Sequence, residues 1–331
     1  MTSYLRQFMY LVVDGKRPRI LDLHCIDMSR FFTQRSPLIG EAVDARLPCS
    51  KMTFCAPSSE HCSGTMHFTL LGRDKVLATD QTGRASIYDA GLHALCTTPA
   101  LSKPKHRPLH VAIGDRLYVL DSTQNDVVSE SEPSFEVIAY ESVRAPDGFQ
   151  YNDWHCHSLP MPPCRPTNIS SYAVVGNSDI WVSADDEGTY SFDTSGGAWV
   201  KKGDWTLPFR GLAHYVSEYK LWFGLSSKNN IFSAFDLTRQ QSPPVLLNVL
   251  EDIGPQKKWL PITSFLVHLG STRFCIARLF CIDDDDRKKK LAVFTVVEVE
   301  PLCETSKGLR MVKCKSLCYK LRDNILNHFV F

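Results

Sequence analysis

The sequence predicts an all-β protein built from repeated four-stranded antiparallel units, a β-propeller of six blades with seven as the alternative count. Three observations lead there. A strand-turn-strand phrase ending in an aromatic-Asp pair recurs along the chain, clearest as "DIWVSADDEGTYSFDTSGGAWVKKGDW" (Asp179 to Trp205) and again as "KLWFGLSSKNNIFSAFDL" (Lys220 to Leu237). Self-similarity in fixed order is the mark of a repeat architecture rather than of a single-core enzyme. Helical periodicity is nearly absent, apart from a possible turn around "LRDNILNHF".

The units can be placed by the hydrophobic residue that opens each phrase and the residue that closes it. Leu11 to Leu21, Leu77 to Tyr88, Trp181 to Phe192 and Trp222 to Phe235 are short spans of similar length. Tyr118 to Tyr140 and Cys275 to Phe294 are longer, and these two alone carry polar inserts, "QNDVVSESEPS" and "DDDDRKKK". Extra length of that composition belongs in a hairpin loop open to solvent. The closing residues Leu21, Tyr88, Tyr140, Phe192, Phe235 and Phe294 mark six units at a mean spacing of about 55 residues, near the period of kelch repeats.

Each unit reads as a meander. In the fourth, "SYAVVG", "DIWVSA", "GTYSFDT" and "GAWVKKGDW" are strands parted by turn residues. The third follows as "LHVAIGD", "RLYVLDS", "FEVIAYES" and "DWHCHSLP", and the fifth as "GLAHYVSE", "KLWFGLS", "NIFSAFDL" and "PVLLNVLED". Trp181, Trp222, Tyr190, Phe192, Phe232 and Phe235 are expected to pack between sheets, since a single four-stranded sheet cannot bury both its apolar faces. Asp193 and Asp236 are expected to cap the turns that follow. The N-terminal "MTSYLRQFMYLVVDG" is interrupted by Arg6 and Gln7 and reads as a first strand, not a signal peptide.

The 331 residues, 44% hydrophobic and 22% charged, suit one large domain over 1–331 with a short tail at 322–331. A net charge of +1 gives no broad electrostatic case for nucleic acid or an anionic membrane. No run reaches the length of a membrane span. The 12 cysteines are irregularly spaced, which suits reduced thiols in the cytoplasm or nucleus.

Motifs for chemistry are sparse. "WHCHSLPMPPC" gathers His155, Cys156, His157 and Cys164, but strand alternation sets both histidines on one face and Cys156 on the other. There is no CxxC, so no metal site and no cofactor is expected. No nucleophile elbow, phosphate-binding Gly loop or zinc-protease helix occurs. "DDDDRKKK" lacks the alternation and glycine of a calcium loop and reads as a solvated, self-compensating tip.

The stretch from Gly188 to Ser227, "GTYSFDTSGGAWVKKGDWTLPFRGLAHYVSEYKLWFGLSS", resembles a grass-expanded family of plant proteins of unknown function with kelch-like repeats, similar to the propeller part of F-box/kelch proteins. The resemblance is carried by Thr189 to Asp193, Trp199, Gly203 to Trp205, Leu207 to Phe209, Gly211 and Trp222, and extends over about Leu109 to Asp252. It implies a kelch-like propeller and supplies no catalytic or binding residues. No amphipathic segment of F-box length precedes the first unit.

The functional expectation is a non-enzymatic protein-interaction scaffold, a monomer that binds a protein partner, with no nucleic acid or membrane partner. Recognition is expected on the unequal loops: Ser129 to Ser134 (Ser129, Glu130, Glu132), Ala145 to Asp153, and Asp283 to Lys290 (Asp283, Asp286, Lys288, Lys290). The competing expectation is a propeller enzyme or small-ligand binder. His110, His214 and His268 are its candidate channel residues, because each lies on a first strand of its unit.

Overall fold

A computed structural model describes residues 5–32, 42–57, 64–103, 105, 108–122, 134–176, 178–238, 244–249, 259–284, 287–302, 308–322, 325 and 327–331. In chain order the strands are β1 (Phe8–Asp14), β2 (Ile20–Asp27), β3 (Val43–Ala45), β4 (Ser50–Cys55), β5 (Met66–Leu71), β6 (Lys75–Asp80), β7 (Ala85–Asp89) and β8 (Ala94–Thr97). There follow β9 (Pro108–Ile113), β10 (Arg116–Asp121), β11 (Phe135–Arg144), β12 (Gln150–Leu159), β13 (Ile169–Val175), β14 (Asp179–Ala184), β15 (Gly188–Asp193) and β16 (Ala198–Gly203). The last are β17 (Phe209–Val216), β18 (Leu221–Ser226), β19 (Phe232–Asp236), β20 (Val245–Val249), β21 (Trp259–Gly270), β22 (Arg273–Asp284), β23 (Arg287–Pro301), β24 (Leu309–Lys320) and β25 (His328–Val330). Among the described residues an α-helical turn, Ser29–Phe32, and a 3₁₀ turn, Pro166–Asn168, interrupt them.

The chain divides into two compact units, one of residues 1–55, 208–238 and 244–331 and one of 56–207 and 239–243. In the second, β5–β8, β9–β12 and β13–β16 are three consecutive antiparallel meanders. In the first, β17–β20 and β21–β24 are meanders, and β25 joins β1, β2 and β4 in the order β25-β1-β2-β4. The expected tail at 322–331 therefore contains a paired strand: Leu11, Val12 and Val13 stand opposite Val330, Phe329 and His328. No helical turn forms at 328–330; its residues satisfy their backbone groups against β1 instead.

The recurring phrase occupies the second and third strands of each sheet. Trp181 opens it on β14, beside Phe192 on β15, which pairs with Ile180. Trp222 on β18 pairs with Phe235 on β19, and Val76 on β6 with Tyr88 on β7. Trp181, Trp222, Tyr190, Phe192, Phe232 and Phe235 are all buried. In the second unit Phe192 meets Phe135 of the preceding sheet edge-on, ring centroids 5.0 Å apart. In the first, Phe232 and Phe223 meet Phe274 of the following sheet at 4.9 and 5.3 Å. Apolar rings thus fill the space between consecutive sheets within each unit, as the amphipathic alternation requires.

The Asp of the phrase turns the chain. Asp193 Oδ1 accepts from the Ser195 amide (2.8 Å) and hydroxyl (2.6 Å), and Asp236 Oδ1 accepts the same pair from Thr238 (2.9 and 2.6 Å). These bonds, the hydroxyl of Ser195 foremost, hold the Asp193 carboxyl below the usual range. Gly188, after the Asp-Glu turn, has φ +100°, and a Cβ there would collide with the Gly203 carbonyl.

Two expectations change. Tyr140 does not close the third unit in the way that Phe192 closes the fourth. It is 51% exposed, and the buried aromatic at the sheet contact is Phe135. The reason is strand length: β10 pairs with β11 only as far as Ala139, so Tyr140 lies on a two-stranded extension beyond it. Likewise "DDDDRKKK" is less a loop than a hairpin end, since β22 and β23 pair through Cys281/Lys290, Ile282/Lys289, Asp283/Lys288 and Asp284/Arg287.

Candidate functional site

The three candidate histidines fall in two places. His110, on β9, belongs to the second unit, in one cross-strand row with Val119 and Glu136. Glu136 is fully buried and so is Lys105. Lys105 Nζ donates to Glu136 Oε2 (2.7 Å), the Ser134 hydroxyl (2.6 Å) and the Lys103 carbonyl (2.9 Å), which uses all three of its protons. Glu136 Oε1 accepts from the Ser102 amide at 3.1 Å and from the Ser102 hydroxyl. Burial, with neighbouring His67 and Lys105 adding to it, pushes His110 down to about 3. Its Nε2 is buried without a hydrogen-bond partner among the described residues. The Cys156 thiol nearby is raised, by burial first and then by Glu136. Every group of the ion pair is thus engaged, and the pair ties Ser102 and Lys105 to Glu136 of β11.

His214 on β17 and His268 on β21 come together in the first unit, ring centroids 5.9 Å apart. His214 Nε2 donates to the Leu266 carbonyl (3.2 Å) and His268 Nε2 to the Ser271 carbonyl (2.8 Å). His268 also stacks on Phe274 at 4.8 Å. Burial and the proximity of His268 push His214 down to about 3, and burial lowers His268 too. Two neutral rings bonded to backbone carbonyls suit a role in packing these strands. Sequence reasoning found the histidines through their first-strand positions but missed Lys105 and Glu136. The signal available was weak: a lone Glu among apolar residues in "FEVIAY".

His155 and His157 share a face of β12, ring centroids 6.4 Å apart, and His157 Nε2 bonds Glu141 Oε2 at 2.9 Å. Among the described residues no group of three or more His, Cys, Asp or Glu is placed to hold a metal ion.

Of the expected recognition loops, Ser129, Glu130, Glu132 and Asp286 lie outside the described residues. Asp283 and Lys288 are paired across the β22–β23 hairpin, and Lys290 Nζ bonds the Ile325 carbonyl. The segment Ala145 to Asp153 is the end of the β11–β12 hairpin. Its turn is closed by the Ala145 amide donating to the Phe149 carbonyl (2.9 Å) and by Asp147, which accepts from the Phe149 amide and the Tyr151 hydroxyl, both at 2.9 Å. Around this ordered turn Tyr140, Phe149 and Tyr151 are 51%, 68% and 51% exposed. Large rings held out on a fixed backbone are the side chains most used at protein contacts.

Several antiparallel sheets and almost no helix among the described residues define an all-β protein. The chain belongs to a family described as protein of unknown function (DUF1668), whose profile matches residues 6–319. No curated protein matches the sequence.

Proposed function

We propose that the chain is a kelch-like propeller of six blades serving as a non-enzymatic protein-interaction scaffold of the cytoplasm or nucleus. Support for the ring comes from six sets of four strands and from β25 completing the N-terminal sheet, a pairing of chain ends that a closed ring needs. The observation that carries the function is the β11–β12 hairpin. It runs five residues past Ala139 on β11 and presents Tyr140, Phe149 and Tyr151 to solvent on a turn locked by Asp147. Exposed aromatics cost solubility and are kept where a partner covers them.

Affinity capture tests this. Wild type and a Phe149→Ser/Tyr151→Ser variant serve as baits in extracts of several plant tissues, the source that the family resemblance suggests. A protein retained by wild type and lost by the variant is the expected result. Failure to retain any reproducible partner, or equal retention by both baits, overturns the reading.

A further inference from the structure

The last strand of each sheet leaves a row of backbone donors and acceptors open, and such edges are blunted by shortness, lysine, proline, bulges or cover. Among the described residues, five of the six four-stranded sets follow that rule. β4 carries Lys51 and a register shift, β8 is four residues long, and β16 carries Lys201, Lys202 and a register shift. β20 is five residues with a register shift, and β24 has a register shift, three lysines and β3 laid along it in parallel. β12 breaks the rule. It is ten residues long, has no lysine or proline, pairs with β11 without a shift, and has no strand on its other side among the described residues.

Which amides are open follows from the turn. The Ala145–Phe149 bond sets the hydrogen-bonded pairs of the ladder, and alternation from there turns the backbones of Tyr151, Asp153, His155 and His157 toward β11. Those of Gln150, Asn152, Trp154, Cys156 and Ser158 face outward. The Trp154 amide agrees, because it donates to the Asp153 carboxylate at 2.8 Å instead of entering the ladder.

We propose that β12 pairs antiparallel with β12 of a second copy of this chain, about a two-fold axis through Trp154. This rests on the reading of the hairpin as an interaction surface, adds a second copy at its open edge, and replaces the expected monomer with a dimer. In that register Trp154 faces its own copy, its amide exchanging the Asp153 carboxylate for the Trp154 carbonyl of the second copy and releasing that carboxylate toward His155, while Asn152 faces Cys156 and Gln150 faces Ser158 as hydrogen-bonded pairs. Between them Asp153 stands opposite His155 of the second copy and Tyr151 opposite His157, with the four side chains on one face. No like charges meet. Moving the axis to Cys156 sets His155 against His157, and moving it to Asn152 sets Asp153 against Tyr151. Only the Trp154 register gives Asp153 a complementary neighbour, which is what cross-strand pairing rewards. The contact is isologous and closes at two copies.

Sedimentation velocity over a concentration series tests it. The mass should rise from 37.4 kDa toward twice that value. Asn152→Pro removes one outward amide while leaving the β11 ladder intact, and should weaken association tenfold or more; Asn152→Lys, which keeps the amide, should do the same through charge. Trp154→Cys should form a disulfide-linked dimer on mild oxidation, mapped to position 154 by mass spectrometry. A monomer at every concentration overturns the proposal. So does a dimer indifferent to both Asn152 substitutions, or one without a link at 154. Loss of the dimer is read from sedimentation of the purified chain and loss of a heterologous partner from capture by the Phe149→Ser/Tyr151→Ser bait, so the two failures are told apart.

Discussion

Replacing Lys105 by Met tests whether the buried ion pair holds its loop to β11. Lys105 and Glu136 are both fully buried, and Lys105 supplies three hydrogen bonds of 2.6 to 2.9 Å. Met fills much of the volume but donates nothing. Glu136 would keep its two bonds from Ser102 and lose its counter-charge, while the Ser134 hydroxyl and the Lys103 carbonyl would each lose a donor. Breaking one side of a buried pair costs about 3–5 kcal/mol, because the remaining charge stays out of water without compensation. The unpaired neutral groups push toward the upper end of that range. Replacing both partners, Lys105→Met with Glu136→Leu, removes the stranded charge and should recover all but about 1–2 kcal/mol. Urea unfolding followed by tryptophan fluorescence and far-UV circular dichroism, on wild type, both single variants and the double, completes a double-mutant cycle. A Lys105→Met variant within about 1 kcal/mol of wild type, or a double variant less stable than either single one, refutes the reasoning.

Two further outcomes follow from the packing and the buried rings. Phe192→Ala should lose about 3–5 kcal/mol, since it empties a site lined by Phe135, Tyr118 and Trp199; a loss under about 1 kcal/mol in thermal or urea unfolding would contradict the inter-sheet role. His110 and His214 are held neutral, near 3 in the folded chain against about 6.5 unfolded, so the unfolded chain binds more protons between those values. Stability from these rings is complete above about pH 6.5 and declines as pH falls toward 3, by up to about 1.4 kcal/mol per pH unit for each histidine. Unfolding midpoints measured from pH 7.5 to 4.5 should show that slope, and His110→Leu should reduce it; an unchanged slope in the variant would exclude His110 as a source.

The repeated phrase made the sheets legible because alternation and turn chemistry act over a few residues. "DIWVSA" reads as a strand between turn residues, and the structure buries both its faces; Asp193 followed by Ser195 favours a capped turn. The six buried aromatics were readable for the same reason. Tyr140 was not. Its alternation continues that of Glu136 and Ile138, both buried, and what exposes it is the length of β10, a property of the neighbouring strand.

The partnership of Lys105 with Glu136 was equally hidden. Separated by a stretch that includes the polar insert, they meet only because β11 returns beside β10 and brings Glu136 under residues 102–105. Local sequence therefore determined strand, turn and core face, which depend on period-two burial and on side chains bonding their own backbone. Tertiary structure decided which candidate histidines were brought together, how far each hairpin outran its neighbours, and that β12 ends its sheet with no further strand beside it among the described residues. Those outcomes depend on contacts between residues far apart in the chain, and no short-range pattern encodes them.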